Sequence, residues 1–136
     1  MTQEKFEALK AFFKQDKYAT FSGCEIDWAE EDACRCSMEI TDMHLNGYGG
    51  IMGGAIMTLA DFASAVVSNQ DGAITVANNL NITFLGNSKE KKLFADAKIV
   101  KRGRSTTFVN IMVTDTAGKQ IASVSILGFN LKGKDE

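Results

Sequence analysis

HLNGYGGIMGGAIMTLADFASAVVSN, residues 44–69, is the stretch from which the fold can be worked out. It begins as a glycine-rich loop and continues into an almost wholly apolar segment that contains one acid, Asp61. Residues 55–67 are apolar or small on nearly every face, a pattern typical of a helix that is buried all round. A helix over residues 53–69 would span roughly 24 Å. The sequence therefore predicts a long central helix with a carboxylate inside it.

The segments on either side of this helix predict an antiparallel sheet. Apolar residues recur every three or four positions near the N-terminus, which predicts an amphipathic helix over residues 2–15, within an N-terminal segment 1–16. Alternation of apolar and polar residues predicts strands over residues 20–27, 32–40, 74–85, 93–100, 106–114 and 120–131. The simplest arrangement is a single α+β domain over residues 1–136, in which the sheet wraps around the central helix.

Composition restricts the classes of function. The chain has 136 residues, 24% of them charged, and a net charge of -2, so no global charge favours nucleic acid or an anionic membrane. The N-terminal segment lacks the apolar run of a secretory signal, and we expect a soluble cytoplasmic protein that does not span a membrane. Four phenylalanines alternate as core residues do, which argues against RNA binding on the sheet: Phe84, Phe94, Phe108 and Phe129.

Cysteine and histidine usage argues against a metal site. Cys24, Cys34 and Cys36 form no CxxC pair, and we expect buried or half-buried thiols in a reducing compartment. His44 is the only histidine, so zinc sites that need two histidines from one subunit are excluded. We interpret His44 as a surface loop residue.

Asp61 needs an explanation, because a buried carboxylate is strongly unfavourable unless it is paired, hydrogen-bonded or protonated. One interpretation is structural: Asp61 meets a cation or hydroxyl in the core, or its helix face opens to solvent at an edge. The other is functional, with Asp61 as an acid or base that faces a cleft.

The start of the same helix supplies a second candidate group. Gly53 and Gly54 leave the first N–H groups uncovered, and such groups can stabilise a developing oxyanion; glycines that merely permit tight packing are the alternative. Asp61 lies about 12 Å farther along the helix, whereas a base and an oxyanion donor must both approach the reacting group to about 3 Å. Antiparallel helices in a dimer would bring Asp61 of one subunit to Gly53 of the other. The sequence therefore predicts an obligate dimer with sites at its interface.

Three motifs in a fixed order carry a resemblance to a known family. They are HLNGYGGIMGGAIMTLAD, VANNLNITFLGNS and VKRGRSTTFVNIMVTDTAGKQIASVSILGF, and the similarity covers about residues 20–131. The chain resembles the hotdog-fold acyl-CoA thioesterases of the PaaI-like, phenylacetate-degradation branch. The resemblance implies a homodimer or homotetramer that hydrolyses acyl-CoA thioesters, aryl-acyl-CoA among the candidates, to free acid and coenzyme A. It implies no metal or redox cofactor, since coenzyme A enters as part of the substrate.

The resemblance also implies roles for single residues. Asp61 matches the catalytic carboxylate, which activates water or attacks the thioester carbonyl itself. The Gly53 N–H matches the oxyanion donor, and Asn46 matches a loop residue that orients substrate or water. The family's basic turn beside the coenzyme A nucleotide is matched by Lys101, Arg102, Gly103 and Arg104, for which a solvated hairpin end is the alternative. The other expected substrate contacts are Met52, Gly54 and Asn79.

Two positions depart from the family pattern. Met52 stands where the family usually has a histidine, so the backbone N–H is kept but an imidazole donor is lost. Ala77 stands near the place where relatives often carry a serine or threonine that positions water, and Asn78 or Asn79 is a candidate substitute. These losses keep a non-catalytic acyl-CoA sensor open as the second function. A hydroxyacyl dehydratase ranks lower, because its His-Phe-Pro-Gly motif and early helix glutamate are absent.

Overall fold

One antiparallel sheet forms the frame of the computed structural model, which describes residues 1–134. Its strands lie in the order β1-β2-β4-β5-β6-β3. They are β1 (Cys24–Ala29), β2 (Ala33–Glu39), β3 (Ile74–Phe84), β4 (Lys92–Arg102), β5 (Thr106–Asp115) and β6 (Gln120–Lys132). The helices are α1 (Gln3–Phe13), α2 (Lys17–Phe21) and the central α3 (Gly53–Ser68), and a single 3-10 turn covers Asp42–His44.

Helix α3 packs along the inner face of the sheet. The alternate residues of each strand that point inward are apolar and buried, so one layer of side chains fills the space between helix and sheet. On β4 and β5 these are Leu93, Ala95, Ala97, Val109, Ile111 and Val113. The period-two pattern of the sequence thus located all six strands, although it began the first one too early, since each strand has one face against the helix.

The three cysteines belong to this inner layer, and the prediction of buried thiols is confirmed. Cys34 and Cys36 are fully buried, and the Cys34 Sγ donates a hydrogen bond to the Ala63 carbonyl at 3.3 Å. Burial, together with the Asp16 carboxylate, raises the pKa of Cys24 to about 12. A thiol with so high a pKa holds almost no thiolate at neutral pH and is a poor nucleophile.

The N-terminal region contains a short helix that the sequence pattern did not indicate. Helix α1 is capped by Thr2, whose hydroxyl accepts a hydrogen bond from the Lys5 N–H at 3.1 Å, and it ends at Phe13. Helix α2 has only 5 residues, too few to show a helical period, and the predicted first strand, residues 20–27, overlaps its end. The two helices are anchored by Phe13, whose ring lies edge-on to Phe62 of α3 at 5.8 Å.

Helix α3 is not buried all round, contrary to the prediction. Gly54 and Asp61 are exposed, while Thr58 and Ala65 on the same side are half-buried. We call these four residues the open stripe. The sheet and the N-terminal helices cover only the rest of the helix surface. Neither α3 nor any other helix in the described part of the chain is long and apolar enough to cross a membrane.

Strand β3 lies at the edge of the sheet, beside the open stripe. It pairs with β6 only, so within the described residues the other edge of this 11-residue strand has no partner. Apolar side chains are exposed along it at Ile74, Val76, Leu80 and Phe84. A long apolar edge of this kind readily pairs with another chain.

The prediction that four phenylalanines lie in the core is wrong. Phe84, Phe108 and Phe129 are exposed, and Phe94 is half-buried beneath the Arg35 guanidinium, which lies 4.8 Å from its ring centre. Strand alternation identifies residues that share a face but does not say which face meets the core. Here Phe94, Phe108 and Phe129 fall on the outer face of the sheet.

The close contact between β3 and β6 depends on Gly128. A β-carbon at this position would lie 2.6 Å from the Thr75 Cγ2 and 3.1 Å from the Val76 carbonyl oxygen. We expect Gly128→Ala to lower the free energy of unfolding by roughly 1–3 kcal/mol, because a stiff side chain and backbone must move. Urea denaturation followed by circular dichroism measures the change. Gly47→Ala, where no atom lies within 4 Å of the added carbon, is the matched control; equal losses for both variants would contradict the prediction.

Candidate active site

The loop before α3 is held together by the Asn46 side chain. Its Oδ1 accepts hydrogen bonds from the Tyr48 N–H at 2.9 Å and the Gly50 N–H at 3.1 Å. The Asn46 N–H in turn donates to the Gly50 carbonyl at 2.7 Å. Because the amide oxygen is occupied, the Asn46 Nδ2 is the group left for the predicted contact with substrate or water.

His44 anchors this loop to the body of the protein. Its side chain is buried, so the prediction of a surface residue is wrong. The Nδ1 accepts a hydrogen bond from the Thr41 N–H at 2.9 Å, and the Nε2 lies 2.6 Å from the Ser22 carbonyl, to which it donates in the neutral tautomer. The His44 carbonyl then accepts from the Met52 N–H at 2.8 Å, which places the start of α3. The partner at Ser22 is 22 positions away in sequence, so no local pattern indicates it.

Helix α3 begins with two N–H groups that have no partner. The Met52 carbonyl accepts from the N–H groups of residues 55 and 56, but those of Gly53 and Gly54 donate to no atom of residues 1–134. Such groups carry the positive end of the helix dipole and bind negative charge. A β-carbon on Gly53 would lie 2.8 Å from the Phe84 Cζ, so the glycine also makes room for that ring. Met52 is exposed and its side chain does not cap the helix.

Asp61 lies on the open stripe without a hydrogen bond or ion pair to any described residue. The internal cation and core hydroxyl considered from the sequence are therefore not its partners. Although the side chain is exposed in the single subunit, neighbouring atoms exclude part of its water, and this burial raises the pKa of the carboxyl above its ordinary value. The Asp16 carboxylate raises the pKa further. A carboxyl with a raised pKa is better suited to take up a proton near neutral pH.

A narrow cleft opens beside Asp61, between α3 and the inner face of the sheet. Small residues line it on both sides, which is why there is space here at all. From α3 these are Asp61, Ser64, Ala65 and Ser68, and from the sheet Thr75, Ala77, Thr107, Val109, Ile126 and Gly128. Asn79 does not line the cleft; it pairs with Leu127 and shares the outer face with it. Ala77 therefore faces the cleft, whereas Asn79, its candidate substitute, faces the other side of the sheet.

The basic turn joins β4 to β5 near the C-terminal end of α3. Two of its cations, Lys101 and Arg104, are exposed. The Arg102 guanidinium instead donates to the carbonyls of Val67 and Ser68, at 3.4 Å each. A cation at a helix C-terminus interacts favourably with the helix dipole. Arg102 therefore has a structural contact with the end of α3 that the sequence resemblance did not indicate.

Asn130 connects the basic turn to the cleft. Its Oδ1 accepts hydrogen bonds from the hydroxyls of Thr75, at 3.0 Å, and Thr107, at 2.7 Å. Its Nδ2 donates to the Gly103 carbonyl at 2.8 Å. Sequence reasoning missed this residue, although one signal was present: an asparagine falls in the inward register of β6, where its neighbours Ile126 and Gly128 face the helix.

A shallow basic pocket surrounds this turn. Arg102 and Arg104 line it from the turn, Lys132 lines it from the end of β6, and Lys134 lines it from the chain just after β6. Lys134 also lies 3.5 Å from Glu31. Thr75 lines both this pocket and the cleft beside Asp61, so the two are neighbours.

The structure does not bring all the predicted site residues together in one subunit. Gly53 and Asp61 lie on the same helix, eight positions apart, so a rise of 1.5 Å per residue separates them by about 12 Å. The loop with Asn46 and the Gly53 N–H are at one end, and Asp61, the cleft and the basic turn are towards the other. The predicted site residues of one subunit thus fall into two separate groups.

Known proteins are similar to this chain in sequence and architecture. Residues 48–122 match the model of the Thioesterase superfamily. A putative esterase of Archaeoglobus fulgidus is 33% identical over 81% of this chain and 72% of its own length. The acyl-coenzyme A thioesterase PaaI of Escherichia coli is 28% identical over 90% of this chain and 88% of its own. The structure of that PaaI protein matches with a TM-score of 0.88 and 26% identity, covering 96% of this chain and 95% of that chain. A Streptococcus mutans protein bound to acetyl CoA matches with a TM-score of 0.79 and 28% identity, covering 85% and 94%.

The chain belongs to the thioesterase superfamily. Its antiparallel sheet and long helix match hotdog thioesterase structures, which confirms the predicted fold. The predicted class of enzyme, a thioester hydrolase, is confirmed by the same family membership. The roles of single residues stay predictions.

The two arginines of the basic turn offer a matched pair for a stability test. We expect Arg102→Gln to lower the free energy of unfolding by about 0.5–1 kcal/mol, because the last turn of α3 loses its cation. Arg104→Gln should leave stability unchanged, since Arg104 is exposed. Thermal melting of both variants at low and high salt measures the difference. Equal melting temperatures would show that the contact with Val67 and Ser68 contributes nothing.

Proposed function

We propose that the protein hydrolyses acyl-CoA thioesters at sites shared by two subunits. The observation that carries the proposal is the placement, near one open helix stripe, of two groups without a partner among residues 1–134: the Gly53 N–H and the Asp61 carboxylate. One donates to negative charge and the other accepts a proton, which are the two functions that thioester hydrolysis needs. Their separation of about 12 Å excludes a joint action within one chain.

A two-fold dimer is the arrangement that brings these groups together. Antiparallel packing of two α3 helices along their open stripes would set Asp61 of one subunit opposite Gly53 of the other. The unpaired edge of β3 supports this arrangement, because two such edges can join into one continuous sheet.

The reaction follows from the chemistry of a thioester. The Gly53 N–H polarises the carbonyl and stabilises the oxyanion, while Asp61 of the partner subunit activates water or attacks the carbonyl carbon. Coenzyme A leaves as a thiolate. The proposed reaction requires no metal or redox group, because a thioester is already activated and a thiolate is a good leaving group.

Coenzyme A would extend from this centre towards the basic turn. The end of α3 that Arg102 contacts lies about 10 Å beyond Asp61 along the helix. Exposed Lys101 and Arg104 are suited to phosphate, and Lys132 adds a cation from β6. Support also comes from the acetyl CoA bound to the Streptococcus mutans relative. Aryl-acyl and medium-chain thioesters are the first substrates to assay, since the Escherichia coli relative belongs to a phenylacetic acid degradation operon.

A non-catalytic acyl-CoA sensor is the second candidate function. The observation that favours it is the methyl group of Ala77, which lines the cleft where a hydroxyl would help to position water. A sensor would bind both acyl-CoA and free coenzyme A without releasing thiol. A panel of thioesters assayed with a thiol reagent separates the two functions.

We also propose further self-association and a reducing location. The outer sheet face carries exposed Phe108 and Phe129 beside Val76, an apolar surface on which two dimers would pack into a tetramer. The three free cysteines suit the cytoplasm.

Mixing two inactive variants tests the shared site. Asp61→Asn should lower kcat by about 10²–10⁴-fold. Gly53→Pro removes the oxyanion N–H at a helix position that tolerates proline. All proteins, including the reference, carry Phe84→Ala, because a β-carbon at 53 would clash with that ring. Random exchange of subunits should restore about a quarter of the reference rate, since about half the dimers are mixed and each has one intact site.

The control for this experiment uses two affinity tags to prove that mixed dimers form. A mixture that contains mixed dimers and yet stays inactive would contradict the shared site. Each variant mixed with itself sets the background.

The raised pKa of Asp61 predicts the pH dependence of activity. The carboxylate must be ionised to accept a proton, so kcat/KM should fall as pH drops through a pKa above the ordinary aspartate value. Asp16→Asn removes a nearby negative charge and should shift this acidic limb to lower pH. pH–rate profiles of wild type and Asp16→Asn check the direction of this shift, and an unshifted limb in Asp16→Asn would contradict the prediction.

The same raised pKa predicts a pH dependence of stability. Because the pKa of Asp61 is raised in the folded state, the protonated carboxyl favours the fold and ionisation disfavours it. Asp61→Asn should therefore gain stability relative to wild type as pH rises.

A further inference from the structure

Ser64 carries a buried hydroxyl that no part of the mechanism has used. It lies one helical turn after Asp61, and its side chain is 6% exposed. Within residues 1–134 the Ser64 hydroxyl makes no hydrogen bond, whereas Thr58 on the same helix donates to the Gly54 carbonyl at 2.8 Å. All fully enclosed side-chain nitrogen and oxygen atoms in the described chain have partners. The Ser64 Oγ must therefore open onto the cleft that it lines.

The cleft has the size of a water site. Its volume of about 30 Å³ exceeds the 10–15 Å³ that one water molecule needs but is too small for an acyl chain. A bound water also needs two or more polar partners. The hydroxyls of Thr75 and Thr107 already donate to Asn130 and can only accept from a water, so the hydroxyls left to donate to it are those of Ser64 and Ser68, with the Asp61 carboxylate as an acceptor.

Ser64 also lies opposite the position where the sheet lacks a hydroxyl. Ala77 contributes only a methyl group to the cleft, and Asn79 faces the other side of the sheet. Of the groups that line the cleft, Ser64 is the hydroxyl nearest in sequence to Asp61 and lies on the same side of α3. A water between the two would accept from the Ser64 O–H and donate to the carboxylate.

We propose that Ser64 is a positioning residue that holds the hydrolytic water against Asp61, so that Asp61 acts as a general base. This inference rests on the proposed function. Asp61 takes a proton from the water, and the water oxygen bonds to the thioester carbonyl carbon. Collapse of the tetrahedral intermediate breaks the C–S bond, and the departing coenzyme A thiolate receives the proton from Asp61. No bond forms between Asp61 and the acyl group.

The first experiment compares serine variants by steady-state kinetics. Ser64→Ala should lower kcat roughly tenfold or more while KM stays within about twofold, because the hydroxyl acts on water and does not bind substrate. Ala77→Ser in the Ser64→Ala background should recover part of the lost rate, since it places a hydroxyl on the facing wall of the same cleft. Ser123→Ala, on the exposed face of β6, is the matched control. Thermal melting separates a loss of folding from a loss of rate.

The second experiment follows the oxygen atom in a single turnover in H₂¹⁸O. A general base predicts that the acid released in the first turnover carries one ¹⁸O and that Asp61 carries none. An unlabelled acid together with ¹⁸O in the Asp61 peptide would mean that Asp61 attacked the carbonyl itself, and would overturn the inference.

The outcomes separate this inference from the function on which it rests. Absence of thiol release by the wild type with every thioester, or an undiminished rate in Asp61→Asn, overturns the proposed function and this inference with it. An active wild type that needs Asp61 but keeps its full kcat in Ser64→Ala overturns the role of Ser64 alone.

Discussion

The rigidity of one hydrogen-bonded helix constrains everything else in this molecule. Because α3 rises by 1.5 Å per residue, the Gly53 N–H and the Asp61 carboxylate cannot approach each other, however the side chains turn. Within residues 1–134, one stripe of the helix is left open and one strand edge beside it has no partner. Both features are unfavourable in an isolated subunit and would become useful across the two-fold axis of the proposed dimer. The proposed chemistry and the proposed assembly thus follow from the same geometry.

Small residues on the helix and on the sheet leave room for the cleft beside Asp61. Gly128 lets β3 approach β6, and Ser64 and Ala65 keep the α3 side free of bulk. Asn130 then joins the wall of the cleft to the basic turn, because its side-chain amide is shared between Thr75, Thr107 and the Gly103 carbonyl. The two ends of the proposed substrate path are therefore linked by direct hydrogen bonds within the sheet.

The sequence predicted what local periodicity can carry. The helix expected over residues 53–69 is Gly53–Ser68. Alternation gave the strands but not their faces, so Phe108 and Phe129 were placed in the core although they lie outside it.

Contacts between distant segments explain the remaining differences. Arg102 meets a helix end 34 and 35 positions away, and His44 meets Ser22. No spacing rule in a single sequence contains such information. The position of Ser64 in the cleft is of the same kind, because a serine inside an apolar helix shows its purpose only when the facing strand is known.

The edge of β3 that has no strand partner among residues 1–134 also affects the chain before any assembly. Within the described residues one side of the eleven-residue strand β3 has no backbone partner, so a newly made subunit presents unpaired backbone groups and apolar side chains to the crowded cell, a template for non-native association. If the native partner is an identical chain, its encounter removes the hazard, and stability then rises with protein concentration. Dilution, low expression or a slow partner would each lengthen the interval in which misassembly competes with the correct dimer.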